Sequence, residues 1–134
     1  MPGISAIDGI GKLYARKLSE FGVKTVEDLL HSCATPTGRR KLSTETGINP
    51  AKLLSWTNKA DLFRIRGVSS QYSELLEAAG VDTVKELQHR NPENLLERMR
   101  EVNSMQKLVR QVPALSQVRS FVSQAKNLEP VVRH

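Results

Sequence analysis

The sequence predicts an all-α fold, a single compact domain over residues 1–134, and three observations lead there. Apolar residues recur at helical rather than alternating spacing along nearly the whole chain. Aromatic residues make up only 4% of the composition and β-branched runs are few, so the core has to come from Leu, Val, Ile and Ala carried on helices. The chain also repeats itself: residues 7–30 realign on 65–88 at an offset of 58, with Ile, Gly, Tyr, Leu, Gly, Val, Thr, Val and Leu shared at nine of twenty-four places. A chain this short does not produce that by chance.

The first pseudo-repeat, 7–30, opens with a tight turn, Ile7-Asp8-Gly9-Ile10-Gly11, and continues into a helix marked by Leu13, Ala15, Leu18 and Phe21. Gly22 closes that helix, because glycine takes the left-handed conformation without penalty. Thr25 then caps a second helix, with Asp28 three residues on as the returning half of a capping box. His31 lies near the end of this helix, where a protonated imidazole is favourable. A helical insert, 35–63, follows. Thr35-Pro36 opens a helix through Arg39, Arg40 and Leu42 that Gly47 closes; Asn49-Pro50 opens another through Leu53, Leu54, Trp56 and Ala60 toward Phe63.

The second pseudo-repeat, 65–88, has the same plan. Ile65-Arg66-Gly67-Val68-Ser69 leads into a helix through Tyr72, Leu75, Leu76 and Ala79, stopped by Gly80; Thr83 and Glu86 form the second expected capping box, and His89 takes the place of His31. C-terminal helices occupy 92–128: Asn91-Pro92 starts one through Leu95, Leu96 and Met99. After Pro113 a last helix runs from Ser116 to Leu128 with Val118, Phe121, Val122 and Ala125 on one side.

Composition bounds the function. With 39% hydrophobic and 25% charged residues the chain folds. It has no apolar run of the roughly 18 residues a membrane span needs and no leader-like N-terminal stretch, so we expect a soluble, cytoplasmic protein, no membrane partner and, in solution, a monomer. The lone cysteine, Cys33, allows neither an internal disulfide nor a Cys-cluster metal site. Of the net charge of +6, the excess lies early: residues 1–70 carry eleven Lys/Arg against six Asp/Glu, and 71–134 carry nine against eight. Localised positive charge attracts nucleic acid. No zinc-ligand spacing, phosphate-binding Walker loop, dinucleotide fingerprint or nucleophile elbow occurs, and the histidines are His31, His89 and His134. The expectation is a binding protein, not an enzyme, with no cofactor and no metal.

Ile7-Asp8-Gly9-Ile10-Gly11, with Ala15 and Leu18 after it, resembles the helix-hairpin-helix motif of DNA repair, ligation and recombination proteins; in the second copy Ser69 stands for the second glycine and Ser73 for the small alanine. The segments 21–29 and 79–87 also look like the corresponding part of the bacterial RNA polymerase alpha C-terminal domain. The whole arrangement is similar to a bacterial family of tandem helix-hairpin-helix domains of unknown function. The resemblance implies DNA as partner.

The residues argue the same chemistry independently. Gly9 and Gly11 remove side chains that would screen main-chain N–H groups, and the helix beginning near Lys12 turns the positive end of its dipole toward the same point, a phosphate site. Lys12, Arg16 and Lys17 sit on its first turns. The nucleic-acid-binding set is therefore Gly9, Ile10, Gly11, Lys12, Arg16 and Lys17, with Arg39, Arg40, Lys41, Arg64 and Arg66 as a supporting basic surface and Gly67 and Ser69 as a weaker second turn. The segment 42–59 has a helix-turn-helix look, with Lys52, Ser55 and Lys59 on one exposed face, but such turns also serve as plain connections. The alternative is a protein-interaction or scaffold module whose turns are architectural and whose exposed apolar surface is Val118, Phe121 and Val122.

Overall fold

The computed structural model describes residues 3–134, and among them the fold is all-helical: a short 3₁₀ turn, Ile4–Ala6, then eight α-helices. These are α1 (Lys12–Glu20), α2 (Val26–Cys33), α3 (Pro36–Thr46), α4 (Pro50–Leu62), α5 (Ser70–Ala78), α6 (Val84–Leu87), α7 (Pro92–Gln106) and α8 (Leu115–Lys126). A lone antiparallel bridge pairs Gly3 with Thr25. No helix among the described residues is long and apolar enough to cross a membrane.

The chain divides into two compact units, Met1–Asp61 with Val131–His134, and Leu62–Pro130. The first therefore holds α1 to α4 and the second α5 to α8. The stretch read from sequence as an insert follows the first copy in the same way that the C-terminal helices follow the second. Main-chain hydrogen bonds recur at the offset of 58. Ile7 donates to Ile4 and Ile10 to Ile7, as Ile65 donates to Leu62 and Val68 to Ile65; Ala15 reaches Gly11 as Ser73 reaches Ser69; Val23 reaches Leu18 as Val81 reaches Leu76.

Within the first unit Ile4, Ile7 and Ile10 enter the core with Leu18, Val26, Leu29 and Trp56. The 3₁₀ turn packs on α1 and α2, and α2 packs on α3. That last contact is close enough that a Cβ at Gly38 would meet the Ser32 carbonyl oxygen, which explains a glycine inside a helix despite its poor propensity. Within the second unit one cluster runs from Leu62 to Ala125, with α7 against α5 and α8 and α6 against α8.

Val118, Phe121, Val122 and Ala125 all face this cluster and are at most 3% exposed. The apolar surface expected of a scaffold is thus the core of the second unit, because the stripe on α8 is what α6 and α7 pack against. The same spacing serves α4: Leu53, Trp56 and Ala60 are buried in the first unit as Val118, Phe121 and Ala125 are in the second. Lys52 is exposed as expected, whereas Ser55 and Lys59 are half-buried, so the expected three-residue face does not form.

Candidate nucleic-acid interface

Gly9 has φ +98°, and a Cβ there would stand 3.3 Å from Trp56 Nε1. The turn consequently needs glycine twice over, for conformation and for space. Ile10 is 4% exposed and its N–H is held by the Ile7 carbonyl, so within the expected site it anchors the turn and offers no donor. Gly11 is different from Gly9. It is the N-cap of α1 with an ordinary extended backbone, φ −77° and ψ −178°, and a Cβ added to it would meet nothing within 4 Å.

The start of α1 therefore faces open space, and no side chain caps it. Side-chain oxygens from Thr25, Thr35, Asn49, Thr83 and Asn91 accept first-turn N–H groups at α2, α3, α4, α6 and α7. At α8 the Gln117 side chain reaches back to the Ala114 N–H. The helices that follow the two glycine turns, α1 and α5, lack any such cap. At α1 the leading N–H groups, which no helical carbonyl can satisfy, stand open to an outside acceptor.

Lys12 and Arg16 are exposed one turn apart on α1, and Lys17 is half-buried beside them. The structure adds a residue from α4: Lys52 Nζ donates to the Tyr14 hydroxyl at 3.0 Å. That hydrogen bond, then the Lys52 charge, with Lys17 contributing, holds the Tyr14 phenol below its ordinary value. Tyr14 in turn packs edge-on against Trp56, ring centres 5.1 Å apart, so the aromatic pair under the Gly9 turn also carries Lys52 to α1. Nothing in local spacing links positions 14 and 52. The one sequence signal was Tyr14 itself, shared with Tyr72 in the repeat.

The supporting basic surface does not survive intact. Arg39 is 5% exposed; its guanidinium donates to the Cys33 carbonyl at 2.8 Å and to the Arg133 carbonyl at 2.7 Å. It is a structural cation, and the burial that makes it one also lowers its pKa. Arg40 and Lys41, next to it on α3, are exposed. Arg64 and Arg66 belong to the second unit, where Arg64 donates to the Glu129 carbonyl at 2.9 Å and the Arg66 main chain is clamped at both N–H and C=O by the Gln124 amide.

Gly67 repeats Gly9. It has φ +96°, and a Cβ there would stand 3.0 Å from the Phe121 ring, against which Tyr72 packs with ring centres 6.3 Å apart. Ser69 repeats Gly11 as an exposed N-cap, φ −92° and ψ −179°, whose hydroxyl makes no capping bond. What the helix after the second turn lacks is positive charge. Ser70 and Glu74 occupy the positions of Lys12 and Arg16.

Among the described residues no three or more of His, Cys, Asp and Glu are grouped to hold a metal ion. No curated protein and no solved structure matches the chain. The model of the domain of unknown function DUF4332 matches residues 8–128, nearly the whole sequence, and the chain belongs to that family.

Proposed function

We propose that this is a non-catalytic, monomeric, cytoplasmic DNA-binding protein whose two glycine turns are helix-hairpin-helix motifs, and that it holds duplex DNA by its backbone phosphates without reading sequence. The observation that carries the reading is the uncapped start of α1, open in front of Gly11 and flanked by Lys12, Arg16, Lys17 and Lys52. Unpaired N–H groups, a helix dipole and cationic side chains are the three things a phosphate diester seeks.

Titrating a labelled duplex at several salt concentrations tests it. The expected affinity is on the order of 10⁻⁴ to 10⁻⁶ M at physiological salt, alike for unrelated sequences and falling steeply with salt. Gly11→Val should weaken binding although no charge changes, because valine fits the extended backbone there but shields the N–H groups. The double variant Lys12→Glu, Lys17→Glu should weaken binding to every sequence and flatten the salt dependence. Absence of binding even at low salt, or undiminished binding by folded variants, overturns the proposal.

One observation favours a protein partner instead: Leu13 on α1 is 64% exposed and Phe21, at its C-cap, 44%, large apolar side chains left in water. A chain with both changed to Ser that keeps full DNA affinity separates the two readings, since phosphate contact needs neither side chain.

A further inference from the structure

The last four residues, Val131–His134, follow the second unit in sequence yet belong to the first. They are held there through their main chain. The Arg133 N–H donates to the Ala34 carbonyl at 2.7 Å, and the Arg133 carbonyl accepts from Arg39 at 2.7 Å. Arg39 also donates to the Cys33 carbonyl at 2.8 Å, so one guanidinium ties the end of α2 to the segment. Val132 enters the unit at 8% exposure, while the Arg133 and His134 side chains stay in water.

These contacts describe a receptor with a definite preference. It offers a carbonyl to an incoming N–H, a cation to the next carbonyl, and room for one small branched apolar side chain. Nothing in it reads the side chain of residue 133. Sites of this kind take extended peptide, since main-chain bonds supply affinity and one alternate side chain supplies selectivity. The buried Arg39 guanidinium donates to two main-chain carbonyls here, Cys33 and Arg133, so the segment supplies one of its acceptors.

We infer that the corner where α2 meets α3 is a peptide-binding site built on Arg39 and the Cys33 and Ala34 carbonyls, and that Val131–His134 is a detachable latch occupying it. With the latch closed, the second unit is bracketed in sequence by segments of the first. With the latch released, the Arg39 guanidinium and the Cys33 and Ala34 carbonyls are open to another extended peptide.

Cys33, fully buried at this corner and the chain's lone thiol, is the local reporter. Arg133→Pro removes the donated N–H, since proline has none. Modification of Cys33 by a chromogenic aryl disulfide should then speed up about fivefold, the factor expected for the loss of one net hydrogen bond from a locally opening segment. Arg133→Ala retains both main-chain bonds and should react as slowly as wild type. An amidated peptide of residues 129–134, added to the Arg133→Pro chain, should restore protection saturably, and the same peptide carrying Val132→Asp should not. If circular dichroism shows the proline variant unfolded, Val132→Ala takes its place in both arms. Wild-type protection in the released variant, equal acceleration by Arg133→Ala, or a peptide without effect would each overturn the inference.

Discussion

Gly9, Gly11 and Gly67 look alike in a sequence and are not alike in the structure. Gly9 and Gly67 have positive φ and back onto Trp56 and Phe121, so Gly9→Ala or Gly67→Ala should each destabilise by about 1–3 kcal/mol in urea unfolding. Gly11→Ala, with an extended backbone and open space, should change stability by no more than about 0.5 kcal/mol. A second pair of equivalent residues differs in sign with pH. Asp28 accepts from the Lys24 and Thr25 N–H groups, which hold its carboxyl below the ordinary value. At the matching place Glu86 shares a hydrogen bond with Asp82 and its carboxyl is pushed up. The fold thus prefers Asp28 ionised: that contribution is complete above the usual Asp range and lost as pH falls through the lowered value. It prefers Glu86 protonated: that contribution is complete below the usual Glu range and lost as pH rises through the raised value. Melting curves should accordingly show Asp28→Asn lowering and Glu86→Gln raising Tm at neutral pH, the Glu86 difference gone below the usual Glu range and the Asp28 difference lost only as pH falls through its lowered value. Arg39 marks where residue-level reading stopped. An arginine between Gly38 and Arg40 reads as surface charge, and the carbonyls that bury it come from residue 33 and from residue 133, too far along the chain for any local pattern to reveal.

Helices were legible where their ends carry chemistry. Thr25 with Asp28, Pro36 with Gly47, and Asn91 with Pro92 bound α2, α3 and α7 much as the sequence signals them, because capping and punctuation are local effects. One element is shorter than the sequence signals. The helix after Thr83 is only the four residues Val84–Leu87, and His89 lies beyond its end. Here the capping box is half made: Thr83 accepts from the Glu86 N–H at 3.4 Å, while the Glu86 carboxyl is engaged with Asp82. The stretch between α7 and Pro113 is not helical, since Lys107 ends α7 in the left-handed conformation at φ 51° and the Asn103 amide then holds the Val109 main chain on both sides. The contrast between the two caps can be measured. Thr25→Ala removes an N-cap bond of 3.0 Å from a complete box and should cost about 1–2 kcal/mol. Thr83→Ala removes a longer bond from an incomplete one and should cost less by chemical denaturation.

The chain as a whole carries the same glycine turn, with the same hydrogen bonds around it, once in each unit, and the two differ in charge. The early excess of positive charge is milder when counted by structural unit, ten Lys/Arg against six Asp/Glu in the first and ten against eight in the second, since Arg64 and Arg66 fall in the second and Arg133 in the first. The difference that bears on the proposed phosphate contact is therefore local. Both glycine turns have the same main-chain hydrogen bonds, the same uncapped helix start and an aromatic ring behind the glycine. Only the first has cations on the helix that follows, Lys12 and Arg16 against Ser70 and Glu74. If an open helix start with flanking cations is sufficient to hold a phosphate, then Ser70→Lys with Glu74→Arg should convert the second turn into a second phosphate site. Because Glu74 takes part in interactions of its own, circular dichroism must first show the double variant folded. The expected result is tighter duplex binding at low salt and a plot of log affinity against log salt steeper by about two, close to one unit of slope for each phosphate neutralised. The same double change combined with Ser69→Val should lose most of that gain although every added charge is still present. Equal binding with and without the valine would mean that the added charges act through the protein's general field, and that the helix starts contribute nothing.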